Sequence, residues 1–155
     1  MQPVMYDDLV LRPYEHGSDD DKKGYILRNQ ILSHSIGVDD RVLRSVFSIH
    51  DSEANQTKLG AFIGDSMVGT LCLAPQEEGT VRIKQFAVTQ KLQGKGIGRK
   101  LLAYAHATAK ALGYRQIELS ARRDAVGFYA KAGYTAKGEL FGPPTNILQL
   151  MYIDL

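Results

Sequence analysis

The apolar, β-branched run Val81 to Val88 leads within a few residues to Gln93-Gly94-Lys95-Gly96-Ile97-Gly98-Arg99-Lys100, and the pattern then turns helical. Ile97, Leu101, Ala105, Thr108 and Leu112 fall on one helical face, with Arg99, His106 and Lys110 opposite. A strand that feeds a glycine-rich loop opening straight into an amphipathic helix admits few folds. The first turn of such a helix has unpaired backbone N–H groups and a partial positive charge. Glycines at 94, 96 and 98 strip away side chains, so an anion can approach those amides, and Lys95, Arg99 and Lys100 add charge. The segment reads as a cradle for a phosphate or diphosphate. It is neither of two familiar nucleotide loops. Gly94-Lys95 is followed by Gly96, which breaks the Walker spacing, and a dinucleotide fingerprint begun at Gly94 would need a small residue where Arg99 stands.

The flanking elements predict a mixed α/β sheet. Leu9-Val10-Leu11 reads as a first strand stopped by Pro13, and Asp19-Asp20-Asp21 as the charged start of a helix running to about Leu32. Asp39 opens a short second helix through Val46. Lys58–Ile63 and Met67–Ala74 read as strands joined at Gly64-Asp65, a pair suited to a tight hairpin. Val81–Val88 is the fourth strand. After the long helix, ended by Gly113, come the strand Gln116–Ala121, a short helix Ala125–Ala132 and a last strand Ile147–Ile153. With 155 residues and no repeat or linker, the chain is expected to be one domain, 1–155.

Composition narrows the classes. No apolar run nears the roughly 20 residues of a membrane helix, and no basic-then-apolar leader opens the chain. The one cysteine, Cys72, excludes an internal disulfide framework and a multi-cysteine zinc site, so a cytoplasmic protein with no metal is expected. Cys72 lies among apolar strand neighbours and reads as packing. Residues 1–80 hold 7 Lys/Arg against 13 Asp/Glu, a net of −6, whereas residues 81–155 hold 12 against 4, a net of +8. Such a division suits a polyanionic ligand met by the second half. The basic residues form no compact arm or aromatic platform, so neither nucleic acid nor a membrane is expected as partner.

The pattern Gln-x-x-Gly-x-Gly, filled by Gln93, Gly96 and Gly98, with Phe86-Ala87-Val88 before it and Leu101-Leu102 after it, resembles the GNAT superfamily of acetyl-CoA-dependent N-acetyltransferases. The resemblance runs from about Val81 to Tyr134. It includes Ile117-Glu118-Leu119-Ser120-Ala121-Arg122, Ala125, Phe128-Tyr129 and Gly133-Tyr134. Arg82, Gln85 and Ala87-Val88 ahead of the loop are similar to a small bacterial subgroup of uncharacterised acetyltransferases. The resemblance implies a single GNAT-type domain whose mixed central sheet, flanked by helices, splays between the fourth and fifth strands.

It also implies roles. Backbone amides of Gln93, Gly94, Lys95, Gly96, Ile97, Gly98 and Arg99 would hold the diphosphate of acetyl-CoA, and Phe86, Ala87 and Val88 would pair with its pantetheine arm. An amide near Val88 would polarise the thioester carbonyl. Tyr129 maps to the family's general acid, which protonates the departing thiolate; free thiol and phenol values of about 8.5 and 10 allow it. Arg122 stands where family members often carry a cofactor-touching asparagine, and Asn146-Ile147-Leu148 stand where the subgroup often carries a histidine. The acceptor would be a primary amine of a small molecule or protein, and its acidic partner half favours a cationic one. The resemblance allows a homodimer. A non-catalytic acyl-CoA-binding or sensing module on the same fold is the competing class.

An amine must lose a proton before attack. Glu118, on the strand after the long helix, is the candidate base, against the plainer reading of an exposed strand glutamate. His34, Asp39 and Asp40 fall between the two early helices, where the acceptor site lies in GNAT folds; the plainer reading is a solvated loop and a helix cap. His16, His50 and His106 show no metal-ligand spacing.

Overall fold

The computed structural model describes residues 2–36 and 51–155. Its strands are β1 (Val4–Tyr6), β2 (Leu9–Tyr14), β3 (Thr57–Ile63), β4 (Ser66–Pro75), β5 (Thr80–Val88), β6 (Gln116–Arg122), β7 (Thr135–Phe141) and β8 (Leu148–Asp154). Its helices are α1 (Asp19–Ile36), α2 (Ile97–Ala111) and α3 (Val126–Lys131). The strands form one mixed sheet in the order β1-β2-β3-β4-β5-β6-β8-β7, antiparallel throughout except where β5 meets β6. The expected α/β architecture is the one observed. The expected second helix, with Asp39 and Asp40, lies outside the described residues, as does the side chain of His34.

Period-two alternation divides the sheet into two faces. Leu59, Ala61, Leu71, Leu73 and Val81 turn towards α2, whose Leu101, Leu102, Ala105 and Ala109 are buried against them in the main core. The opposite face, under α1, is unexpectedly polar. Lys58, at the start of β3, is fully buried; its Nζ donates to Asp21 Oδ1 at 2.6 Å, to Glu53 Oε2 at 3.0 Å and to His16 Nδ1 at 3.1 Å. Arg28 of α1, also buried, donates through Nη1 and Nη2 to the two oxygens of Glu53 at 3.1 and 3.4 Å. Beside this network Tyr14 donates to Thr70 Oγ1 at 2.6 Å, and Thr70 donates onward to the Leu59 carbonyl. Burial works to raise the Asp21 and Glu53 carboxyls, but their partners outweigh it and hold both below the ordinary value. For Asp21 these are the Gly17 N–H and Lys58; for Glu53 they are Lys58, Arg28 and Gln85.

Three features depart from the expected elements. Pro13 does not stop its strand: β2 continues to Tyr14, paired to Lys58 on β3. The other neighbour, β1, ends opposite Leu11, so beyond it β2 is an edge where a missing N–H breaks no ladder bond. β1 itself is three residues long and exposed, too short to show a period. β7 carries no alternation either, because all its residues are exposed at the far edge and Gly138 interrupts it.

Removing one member of a buried ion-pair network strands its partners, at a cost of about 3–5 kcal/mol. Lys58→Met, which keeps the stem and deletes the charge, is expected to lower unfolding stability by that amount in urea titration at neutral pH. A loss under about 1 kcal/mol would mean that the carboxylates find other partners.

Candidate functional site

The site begins where two parallel strands part. β5 and β6 share only the pairs Thr80↔Gln116, Val81↔Ile117 and Arg82↔Glu118. Beyond these, β5 stays with β4 as far as Val88 and β6 stays with β8 as far as Arg122. The facing edges diverge around a cavity of about 970 Å³, at the upper end of the roughly 300–1,000 Å³ of ordinary ligand sites. The splay falls between the two strands that the sequence places fourth and fifth. At its apex the Arg82 guanidinium donates to Glu118 Oε1 through Nε at 3.1 Å and Nη2 at 3.0 Å, and to Ser120 Oγ at 3.2 Å. Glu118 is thus an ion-pair partner at the fork and is not among the residues that line the cavity.

One wall is the free half of β5, which contains a kink. Thr70 of β4 faces Ala87 and Cys72 faces Lys84, so Gln85 and Phe86 together oppose Leu71 as a β-bulge. Gln85 sits at φ +56, a left-handed conformation that costs a non-glycine residue about 1–3 kcal/mol. Its amide is held on both sides. Nε2 donates to Glu53 Oε1 at 3.0 Å, and Arg28 Nη1 donates to its Oε1. The Cys72 thiol also points to that oxygen, at 3.6 Å. Burial pushes this thiol up to about 11, so Cys72 is a packed thiol, as its apolar strand implied.

The second wall is the glycine loop. Gly94 at φ +80 and Gly96 at φ +86, the latter capping α2, hold conformations that side chains rarely adopt. Gly98 is ordinary backbone, and a Cβ there would make normal contacts with Val88, Phe128 and Phe86. Gln93 folds its Nε2 back to the Val88 carbonyl at 3.0 Å, tying the loop to the end of β5. Gln93, Gly94, Gly96, Gly98 and Arg99 line the cavity together with Phe86, Ala87 and Val88. The Ile97 side chain is in the core and Lys95 is exposed, so only their backbones remain available to the loop. Lys100 is turned away, 5.0 Å from the Tyr6 ring centroid.

The third wall comes from β6 and α3. Arg122 lines the cavity and donates to Asp124 Oδ2 at 3.0 Å, an exposed pair worth little by itself. Tyr129 lies in an aromatic nest, edge-on to Phe86 at 6.5 Å, Phe128 at 5.1 Å and Tyr134 at 5.6 Å between centroids. Burial pushes its phenol up to about 12. At any ordinary pH it is a protonated donor. It is a weaker acid than free tyrosine, so the near match of free thiol and phenol values does not carry over to it. Behind it Tyr134 and His106 Nε2 share a hydrogen bond of 2.7 Å.

Sequence reasoning thus found the loop, β5 and Tyr129, and the structure brings them to one cavity. It missed Ile31 of α1, which also lines the cavity, and the buried Arg28–Glu53 pair behind Gln85. Asn146 and Leu148 line it too, where the sequence departs from the subgroup's histidine. Among the described residues no helix is long and apolar enough to cross a membrane, and no group of three metal-ligating side chains occurs.

Comparisons with known proteins agree with this geometry. The acetyltransferase (GNAT) family model matches residues 22–134. The uncharacterized N-acetyltransferase YvbK of Bacillus subtilis is 34% identical over 77 residues, which is 48% of this chain and 50% of that protein, so the match spans half of the relative's length. A Lactobacillus plantarum structure assigned as an N-acetyltransferase superposes with a TM-score of 0.80 at 22% identity, covering 94% of this chain and 98% of the other. A GNAT family acetyltransferase from Elizabethkingia anophelis with acetyl-CoA bound gives 0.71 at 18%, covering 97% and 100%. A Bacillus subtilis acetyltransferase in complex with CoA gives 0.68 at 20%, covering 94% and 97%. At these identities the structural likeness speaks for the fold.

A tyrosine whose folded pKa exceeds its free value of about 10 supports the fold below that pH. As pH climbs from about 10 towards 12, the unfolded chain loses the proton first and the stability drains away. Tyr129→Phe should therefore flatten part of the alkaline decline in the urea midpoint between about pH 9.5 and 11.5. Parallel curves for the two proteins would place the Tyr129 hydroxyl in water.

Proposed function

The chain belongs to the acetyltransferase (GNAT) family, and on that premise we propose that it is an acetyl-CoA-dependent N-acetyltransferase that passes the acetyl group directly to a primary amine. The observation that carries this reading is the parting of β5 from β6. The divergence creates a cavity lined both by the glycine loop at the N-terminus of α2 and by the partly buried Tyr129. A ligand with a diphosphate, an extended polar arm and a reactive thioester suits that arrangement, and two of the solved neighbours were determined with acetyl-CoA or CoA bound.

In this reading the amides around Gly94, Gly96 and Gly98 hold the diphosphate, and α2 adds its positive end. The free edge of Phe86–Val88 receives the pantetheine amides as a further strand would. An N–H near Val88 donates to the thioester carbonyl as the amine attacks and negative charge gathers on that oxygen. The C–S bond then breaks, the electron pair goes to sulfur, and Tyr129 gives its proton to the departing thiolate, to be reprotonated from the water that takes the amine proton. Arg99 and Arg122 supply cationic contacts at the cavity rim. Water is the proposed acceptor of the amine proton, since Glu118 is engaged by Arg82 at the fork. The acceptor enters past Ile31 and Leu148. We also propose a cytoplasmic location, supported by the lone cysteine, Cys72, a free and buried thiol.

Acetyl-CoA consumption across a panel of small amines, amino acids and lysine peptides tests the reading. Turnover on at least one acceptor is expected, and Tyr129→Phe should lower its kcat by about 10²–10⁴-fold with acetyl-CoA affinity nearly unchanged. Tight acetyl-CoA binding with no turnover on any amine would favour the non-catalytic binding module instead.

Gly96→Val places a β-branched residue at φ +86 and covers the approach to the helix amides. Calorimetry should show at least a tenfold loss of acetyl-CoA affinity in a protein that still folds. Unchanged affinity would remove the diphosphate from this loop.

A further inference from the structure

We propose that Gln85 is a positioning residue: its amide, clamped between Arg28 of α1 and Glu53, pins the left-handed bulge of β5 and so aims Phe86, Ala87 and Val88 into the cavity. The inference rests on the transferase reading and adds to it residues that touch neither the diphosphate nor the departing sulfur.

Four observations converge on this residue. Gln85 is one of only two non-glycine residues with positive φ among the described residues. The other, Asp7, sits in the turn between β1 and β2 and belongs to a residue type that tolerates this region. Gln85 has neither excuse, so something must hold its backbone there. The bulge occurs in the half of β5 that has left β6, where β4 is the one strand still paired to it. The Gln85 side chain supplies what the ladder lacks. It gives one N–H to Glu53 and takes one from Arg28, and both partners are nearly inaccessible. Those partners are fixed in turn, because Lys58 grips the second oxygen of Glu53 and is itself fully buried.

The geometry also explains why the clamp bears on chemistry. Arg28 lies one helical turn from Ile31, which lines the cavity on α1. The clamp therefore sets the distance between the acceptor-side helix and the strand that receives the thioester. A small error in that distance displaces the attacking and receiving groups relative to each other, and a misplacement of about 1 Å can cost roughly 10²-fold in rate. The diphosphate amides of the glycine loop belong to a separate element, joined to this strand through Gln93 and the Val88 carbonyl.

Two substitutions separate the clamp from simple backbone conformation. Gln85→Met keeps length and the strained φ and deletes both hydrogen bonds. Gln85→Gly deletes the same bonds and removes the strain, so it carries the test if the Met variant fails to fold. Each is compared with the parent in two measurements. Steady-state kinetics on the best acceptor should show kcat down about 10–100-fold, with a smaller rise in the KM for acetyl-CoA, because Phe86–Val88 also receive the pantetheine arm while the glycine loop keeps the diphosphate. Amide hydrogen exchange in the ligand-free protein should quicken at least tenfold at Phe86–Val88 and stay unchanged in α2. If Gln85→Gly keeps kcat within twofold of the parent and exchange is unaltered, the bulge holds itself and the clamp is overturned. The exchange comparison needs no acceptor. A parent protein inactive on every amine would sink the transferase reading while the clamp stood or fell by exchange.

Discussion

The structure depends on a hydrogen-bond debt along one strand. Once β5 leaves β6 after Arg82, the backbone groups on its outer edge have no ladder partner from the sheet. Buried N–H and C=O groups tolerate that poorly, so an interior strand edge of this kind is stable only where water or a ligand reaches it. The rest of the site follows from keeping that edge open. The Arg82–Glu118 pair bridges the two strands at the apex of the fork. Phe86, Phe128 and Tyr129 fill the widening wedge with rings that meet edge to face. The Gln93 side chain caps the Val88 carbonyl at the far end.

The polar face under α1 is the second organising element. Asp21, Glu53, Lys58 and Arg28 form a chain of alternating charge from the first turn of α1 to the bulge of β5. Such a network adds little net stability over apolar packing, because each charge gives up its hydration. It does fix register. An apolar helix face can slide over a sheet, whereas a helix bonded at Asp21 and Arg28 to residues of fixed height cannot. A cavity whose acceptor side is formed by a helix and whose other side is formed by a strand needs that constraint.

What could be read beforehand sorts by the range of the interactions concerned. The glycine loop was legible because its chemistry is local: positive φ at Gly94 and Gly96 and the open end of α2 all lie within a few residues. The strands β3, β4, β5, β6 and β8 were legible because they are buried and their apolar content is dense. β1 and β7 were not, since exposed edge strands have no reason to alternate. Glu118 was singled out for its position in sequence, and its tie to Arg82 exists only because β5 and β6 pair in parallel. Lys58 and Glu53 gave no signal at all. A lysine before an apolar strand ordinarily marks the surface, and only the approach of α1 turns it into a buried cation.

The ends of the sheet have a consequence for the protein's behaviour in concentrated solution. An eight-stranded open sheet offers two rims at which a second molecule could add strands without limit, the route to fibrous aggregates. One rim here is a strand of three residues, and past it the stretch of β2 that β1 does not pair carries Arg12 and Pro13, which give an incoming strand a charge and a missing donor. At the other rim β7 sets Lys137 and Glu139 around Gly138, and its pairing to β8 loses register there. Neither rim presents a long, flat template. The proline that fails to end its strand thus helps to keep that strand from recruiting another.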